Sequence, residues 1–256
     1  MKKNFYLIVV SLLAIASWHC HFSSTSGENP SHLNNGGINA KNEVVLELFT
    51  SQGCSSCPPA DKFLGNYINN DHVIPLSFHV DYWDRLGWKD PFSSHDFSER
   101  QFKYAAALHS DYYTPQLVIN GTQQFIGGEA GKITNAINQL LPTSAGTSLS
   151  ITNAQIKDST LLISVDLKGN VQHANLDIAL VQKKAVTPVG DGENRGATLT
   201  DFNVVRYFQT MDTIKPGENN LVVNIPASLK PGNRQIILYT QEKAGNRITG
   251  AVKRDF

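Results

Sequence analysis

The sequence predicts an α/β domain over residues 42–143 followed by a small antiparallel β-sandwich domain over residues 147–256. Three observations carry this expectation. Short apolar, β-branched runs alternate with helix-periodic segments in the first part. Short alternating segments separated by turn residues fill the second part. Between them, Pro142-Thr143-Ser144-Ala145-Gly146 changes the texture of the chain.

The first part can be read element by element. Val44-Val45-Leu46-Glu47-Leu48-Phe49 is a buried-strand pattern, and Ser51-Gln52-Gly53 breaks it. A helix pattern starts near Cys54 and places Ala60, Phe63, Leu64, Tyr67 and Ile68 at helical spacing. Pro58 and Pro59 fall in its first turn, where a missing N–H costs little. Val73 to Val80 is a second strand, followed by the aromatic stretch His79 to Trp88. A helix over roughly 97–109 comes next, then Thr114-Pro115, strand 117–120, strand 123–126 and a helix over 130–141 stopped by Pro142. The order is β-α-β-α-β-β-α.

Composition narrows the function classes. The chain is 41% hydrophobic and 17% charged, enough for a real core. Lys plus Arg equals Asp plus Glu, 22 against 22, so nothing points to a nucleic-acid partner. Lys2 and Lys3 precede an apolar run from Leu7 to Ala16, which has signal-peptide proportions and is too short to span a bilayer. Residues 1–16 are expected to be a signal peptide cleaved after Ala14-Ile15-Ala16, and 17–41 a flexible Ser/Asn/Gly-rich leader. An alternative reading lipidates Cys20, although Ser17-Trp18-His19 makes a poor lipobox. Either way the protein is expected to be exported, periplasmic or secreted, with membrane contact only if Cys20 carries lipid.

Three cysteines are few for a disulfide scaffold, and Cys54 and Cys57 stand three residues apart. A bridge that short closes a negligible loop and adds little chain-entropy stability, which favours chemistry over stapling.

A CxxC at a strand-to-helix turn, with Thr114-Pro115 opening the third strand of the element order above, resembles the thioredoxin superfamily over about 100 residues. More narrowly, the chain resembles an uncharacterised secreted bacterial family, domain of unknown function 1223. The stretches Glu47 to Asp61, His79 to Trp88, Tyr113 to Gly121 and Asn203-Val204-Val205-Arg206 carry that resemblance. It implies an α/β thioredoxin-like fold for the first domain, an exported location and a cis peptide at Thr114-Pro115 beside the dithiol. It implies no settled activity.

The dithiol defines the candidate site. Cys54 at a helix N-terminus is expected to be an exposed nucleophile of lowered pKa, with Cys57 one turn in as the resolving thiol and the two joined as a disulfide when oxidised. Thr114 and Pro115 are expected to face the sulfurs. Glu47 is either a buried proton acceptor or, in the preferred reading, a solvent-facing side chain at a sheet edge. His79 and Asp81 lie two apart on a strand and share a face, as a proton-moving pair or a polar corner pinning Tyr82, Trp83 and Trp88.

The second part offers strands over 148–156, 161–167, 176–182, 221–225, 235–241 and 248–252. It shows no nucleophile triad, metal cluster or phosphate loop, and Asp191 to Gly196 reads as a solvated polar loop. Asn203, Arg206 and Gln241 are candidates to buttress the first domain.

The expected function is thiol–disulfide exchange on protein thiols or disulfides, with a membrane redox partner and no cofactor. Two rivals remain open. One is a Cu(I)-binding module using Cys54, Cys57 and His79, since thiolates are soft ligands. The other is a non-enzymatic envelope interaction protein with a structural disulfide.

Overall fold

The computed structural model describes residues 43–143 and 145–256. The expected signal peptide and leader, with Cys20, lie outside the described residues. In chain order the elements are β1 (Val44–Thr50), α1 (Pro58–Gly65), β2 (Val73–His79), α2 (His95–Ala107), β3 (Gln116–Ile119), β4 (Gln123–Ile126) and α3 (Ala130–Leu140). There follow β5 (Thr147–Lys157), β6 (Thr160–Gly169), β7 (Ala174–Pro188), β8 (Thr198–Met211), β9 (Gly217–Asn224), β10 (Arg234–Glu242) and β11 (Ile248–Asp255).

These elements do not form an α/β thioredoxin-like domain with a separate β-sandwich. The described residues are mostly strand, eleven strands against three α-helices. The main sheet is mixed and eight-stranded, in the order β11-β10-β7-β8-β2-β1-β3-β4, so it continues through the break near residue 145. The strands expected to make a sandwich are divided. β7, β8, β10 and β11 extend the first sheet, while β5, β6 and β9 form a second, three-stranded one.

β8 is the reason. It pairs along β7, and at Val204 it meets Ser77 of β2 in parallel, which closes the two halves into one sheet. Asn203 adopts φ 45°, a left-handed conformation that asparagine tolerates. Its Nδ2 donates to the Pro75 carbonyl at 2.9 Å, tying β8 to β2 where regular pairing stops.

Burial patterns follow from position in the sheet. β1 and β2 are buried at every residue, as strands covered on both faces must be. β9 alternates buried and exposed residues, the mark of a strand with one wet face. Three apolar clusters result. One mixes Phe49, Phe78 and Phe97 with Ala179, Val205 and Tyr239 from the later strands. A second packs Leu161, Ile163 and Val165 of β6 against Ile178, Leu180 and Leu238. The third sets Leu64, Ile133 and Ile137 of the helices on Leu46, Leu48 and Leu117.

α2 is pinned to the sheet by a buried charge. Arg100 Nη2 lies 2.8 Å from Glu47 Oε1 of β1 and 3.3 Å from Asp177 Oδ2 of β7. The guanidinium carbon sits 4.5 Å from the Phe208 ring centroid and is also flanked by Phe78, Tyr104 and Tyr239. Glu47 therefore does not face solvent; its carboxylate is fully buried against Arg100 and also accepts the Tyr239 hydroxyl.

Candidate functional site

The turn between β1 and α1 carries Cys54 and Cys57, joined as a disulfide. Backbone bonds from Cys54 N–H to Ser51 O at 3.1 Å and from Cys57 N–H to Cys54 O at 3.2 Å wind this turn into the helix. Pro58 and Pro59 begin α1 without N–H groups, and the Ala60 and Asp61 amides are spent on the Cys57 carbonyl. The helix start thus offers the sulfurs fewer free donors than the motif suggests. Nearer the sulfur, Ser56 Oγ lies 3.3 Å from Cys54 Sγ. Cys54 is not the exposed thiol expected from the motif: it is 1% exposed and Cys57 0%, while Ser55 and Ser56 face solvent.

Thr114 meets the dithiol. The Thr114–Pro115 peptide bond is cis, and Thr114 O is 3.8 Å from Cys54 Sγ. The Thr114 hydroxyl accepts from Trp83 Nε1 at 2.7 Å, so the aromatic stretch after β2 braces this side of the site. Trp88 Nε1 donates to Gln52 Oε1 at 3.3 Å on the other side.

The loop between β7 and β8 packs on the same turn. Glu193 accepts the Ser55 N–H at 2.9 Å, and Asn194 Nδ2 donates to the carbonyls of Gln52 and Cys54, each at 2.9 Å. The Ser55 hydrogen bond holds the Glu193 carboxyl below its ordinary pKa. Read from sequence as a plain polar loop, this segment is part of the site.

Behind the dithiol lies a buried polar cluster. Asp61, four residues after Cys57 and so on the same helical face, accepts Thr50 Oγ1 at 2.7 Å and Ser77 Oγ at 3.4 Å. His79 pairs through Nδ1 with Asp90 at 2.7 Å, while its Nε2 has no hydrogen-bond partner. Asp90 also accepts the Gln52 N–H at 2.8 Å, and Asp201 accepts Gln52 Nε2 at 2.7 Å. Burial, then the neighbouring Asp201 charge, push Asp61 up to about 7. Burial alone pulls His79 down, but the charge and hydrogen bond of Asp90 outweigh it and lift it to about 9. Asp201 is raised by burial, with His79 opposing.

His79 and Asp81 therefore do not pair with each other. Asp81 accepts Ser98 Oγ at 2.5 Å and stands 3.2 Å from His95 Nδ1, capping the approach to α2. Nor does His79 gather with the cysteines: its acidic neighbours are Asp61, Asp201 and Asp90. Asp61, Asp90 and Asp201 are not among the sequence candidates, and Glu193 and Asn194 enter there only as part of the polar loop 191–196. Only Asp61 gave a signal, its helical spacing from Cys57. Asp90 and Asp201 are brought in from residues 11 and 122 positions beyond His79. Asn203 and Gln241 do buttress the join between the halves, the latter through Nε2 to Tyr104 Oη at 2.7 Å. Arg206 stacks 4.6 Å from the Phe92 ring centroid.

A family model described as protein of unknown function DUF1223 matches residues 45–241. The chain is similar to the crystal structure of protein AGR_C_4864 from Agrobacterium tumefaciens, at 25% identity and TM-score 0.66, covering 84% of this chain and 95% of that one. It is also similar to the structure of HBP35 of Porphyromonas gingivalis, at 13% identity and TM-score 0.59, covering 84% of this chain and 76% of that one, a likeness of fold alone. No curated protein matches the chain.

Proposed function

The chain belongs to the DUF1223 family of proteins of unknown function, and we propose that it is an extracytoplasmic thiol–disulfide oxidoreductase acting on protein substrates. The observation that carries this reading is the Cys54–Cys57 pair at the start of α1 with the Thr114 carbonyl 3.8 Å from Cys54 Sγ. A backbone acceptor beside the sulfur, followed by a proline with no N–H, is suited to holding an extended substrate segment against the dithiol.

In the oxidised form, a substrate thiolate attacks Cys54 Sγ, a substrate–Cys54 bond forms, and the Cys54–Cys57 bond breaks with Cys57 leaving as thiolate. A second substrate thiolate then attacks the substrate sulfur and expels Cys54. The substrate dithiol loses two electrons to become a disulfide, and the protein gains them as a dithiol. The dithiol form runs the same steps backwards on a substrate disulfide. Asp61, on the face of α1 that carries Cys57 and holding its proton up to about pH 7, is suited to give a proton to the departing Cys57 thiolate and to take it back. The apolar run and A-x-A at residues 7–16 support export, and a membrane redox partner would renew the working form.

The test is capture with Cys57→Ala. Without the resolving thiol the mixed disulfide at Cys54 has no internal exit, so reductant-sensitive adducts should accumulate in oxidising cells and vanish in Cys54→Ser/Cys57→Ala. Absence of adducts, with no disulfide reductase or oxidase activity in the unaltered protein, would overturn the reading.

A further inference from the structure

We propose that Asp61, His79 and Asp201 form an interior binding site for one divalent first-row cation, Zn2+ being the probe of choice. No sulfur is a ligand of this site, and an ion bound there takes Asp61 out of the proton exchange with Cys57.

The three residues come from α1, β2 and β8, and one ligand atom from each lies within 4.8 Å of the others. That is the scale of a coordination shell, in which ligand atoms surround a space without bonding to one another. All three are buried, at 4%, 1% and 2% exposure. His79 Nε2 is the telling atom: it is fully buried and has no hydrogen-bond partner, while Nδ1 is held by Asp90 at 2.7 Å. A ring nitrogen fixed by a carboxylate with its opposite nitrogen free is the arrangement that orients an imidazole toward a metal. The carboxylates are held too, Asp61 by Thr50 and Ser77 and Asp201 by Gln52, so the donors are oriented before any ion enters.

Charge points the same way. Asp61, Asp90 and Asp201 share one buried region in which acids outnumber the cationic groups, His79 and the Arg206 guanidinium that acts on Asp90. One nitrogen and two carboxylate oxygens suit a borderline or hard ion, in contrast to the soft Cu(I) of a thiolate site. Asp201 also borders a pocket of about 430 Å³ beside Pro58, Lys62 and Phe202.

The experiment uses the full chain as Cys20→Ser with Cys54 and Cys57 oxidised, so that no thiolate is present. Calorimetry with Zn2+ should find one ion per chain, and Zn2+ should raise the melting temperature in a chelator-reversible way. Asp201→Asn should weaken binding at least about tenfold, and Asp90→Asn, which frees the His79 ring, by about 10–100-fold. X-ray absorption on the zinc-loaded protein should show only nitrogen and oxygen donors with one imidazole, a readout that needs no variant to fold. No uptake by the folded protein, unchanged affinity in a folded Asp201→Asn, or a shell without imidazole would each overturn the proposal.

Discussion

The Glu193 carboxylate accepts the backbone N–H of Ser55, 138 residues earlier in the chain, at 2.9 Å. A loop from the later half thereby places a negative charge one residue from Cys54. A negative charge near a sulfur disfavours its thiolate.

Glu193→Gln should therefore lower the Cys54 thiol pKa and speed its alkylation in the reduced protein at neutral pH by roughly two- to fivefold. The effect should shrink as salt is raised, because an exposed charge is screened over about 10 Å at 0.1 M. An unchanged alkylation rate at low salt would show that the loop does not act on the sulfur.

Asp61 ties stability to pH. Its carboxyl is raised in the folded state from 3.8 to about 7, so the folded chain holds this proton more tightly than the unfolded one. Its stabilising contribution is complete below pH 3.8 and is lost as pH rises through about 7. His79, raised from 6.5 to about 9, removes a second share over that higher range. In chelator-containing buffer, urea unfolding should show stability falling between pH 4 and 7 by an amount on the order of a few kcal/mol. Asp61→Asn, which keeps an acceptor for Thr50 and carries no charge, should flatten that part of the curve.

Arg100 is the counter-ion for two buried carboxylates, Glu47 and Asp177. Arg100→Ala should cost about 3–5 kcal/mol in urea unfolding, since it leaves both acids buried without their cation. Arg100→Lys should recover only part of this, because a lysine cannot lie flat among four rings and donate from a planar fork. A loss under about 1 kcal/mol for Arg100→Ala would contradict the keystone role.

Gly121 turns β3 into β4 at φ 72°, and a Cβ there would stand 1.9 Å from the Asn246 carbonyl oxygen in the turn between β10 and β11. Backbone meets backbone, so neither side can yield by rotating a side chain. Gly121→Ala should destabilise the protein by about 3 kcal/mol, measured by thermal or urea unfolding.

Local pattern made much of the molecule legible. Val44–Phe49 and Val73–Val80 read as strands because burial on both faces demands unbroken apolar, β-branched runs, and α1 and α3 read as helices from their apolar spacing. Cys54, Cys57, Thr114 and Pro115 were likewise identifiable, since motif and spacing are local properties. β8 was not. Asp201, Asn203 and Arg206 interrupt its apolar pattern, yet these polar residues are satisfied by Gln52, Pro75 and Phe92 from the other half of the chain. A pattern that omits β8 divides into two separate domains, whereas the sheet that β8 bridges is continuous.

The sequence by itself determined the dithiol, its place between a strand and a helix, and the Thr114-Pro115 step whose carbonyl lies beside Cys54. Tertiary structure alone decided that one mixed sheet joins the two halves, that Glu47 is buried against Arg100, and that His79 pairs with Asp90 in place of Asp81. It also brought Asp201, Glu193 and Asn194 around the turn that holds Cys54 and Cys57. The physical reason is that a buried charge or a strand edge is stable only once its partner arrives. Here the partners lie as many as 192 residues away, as Tyr239 does from Glu47, beyond the reach of any local pattern.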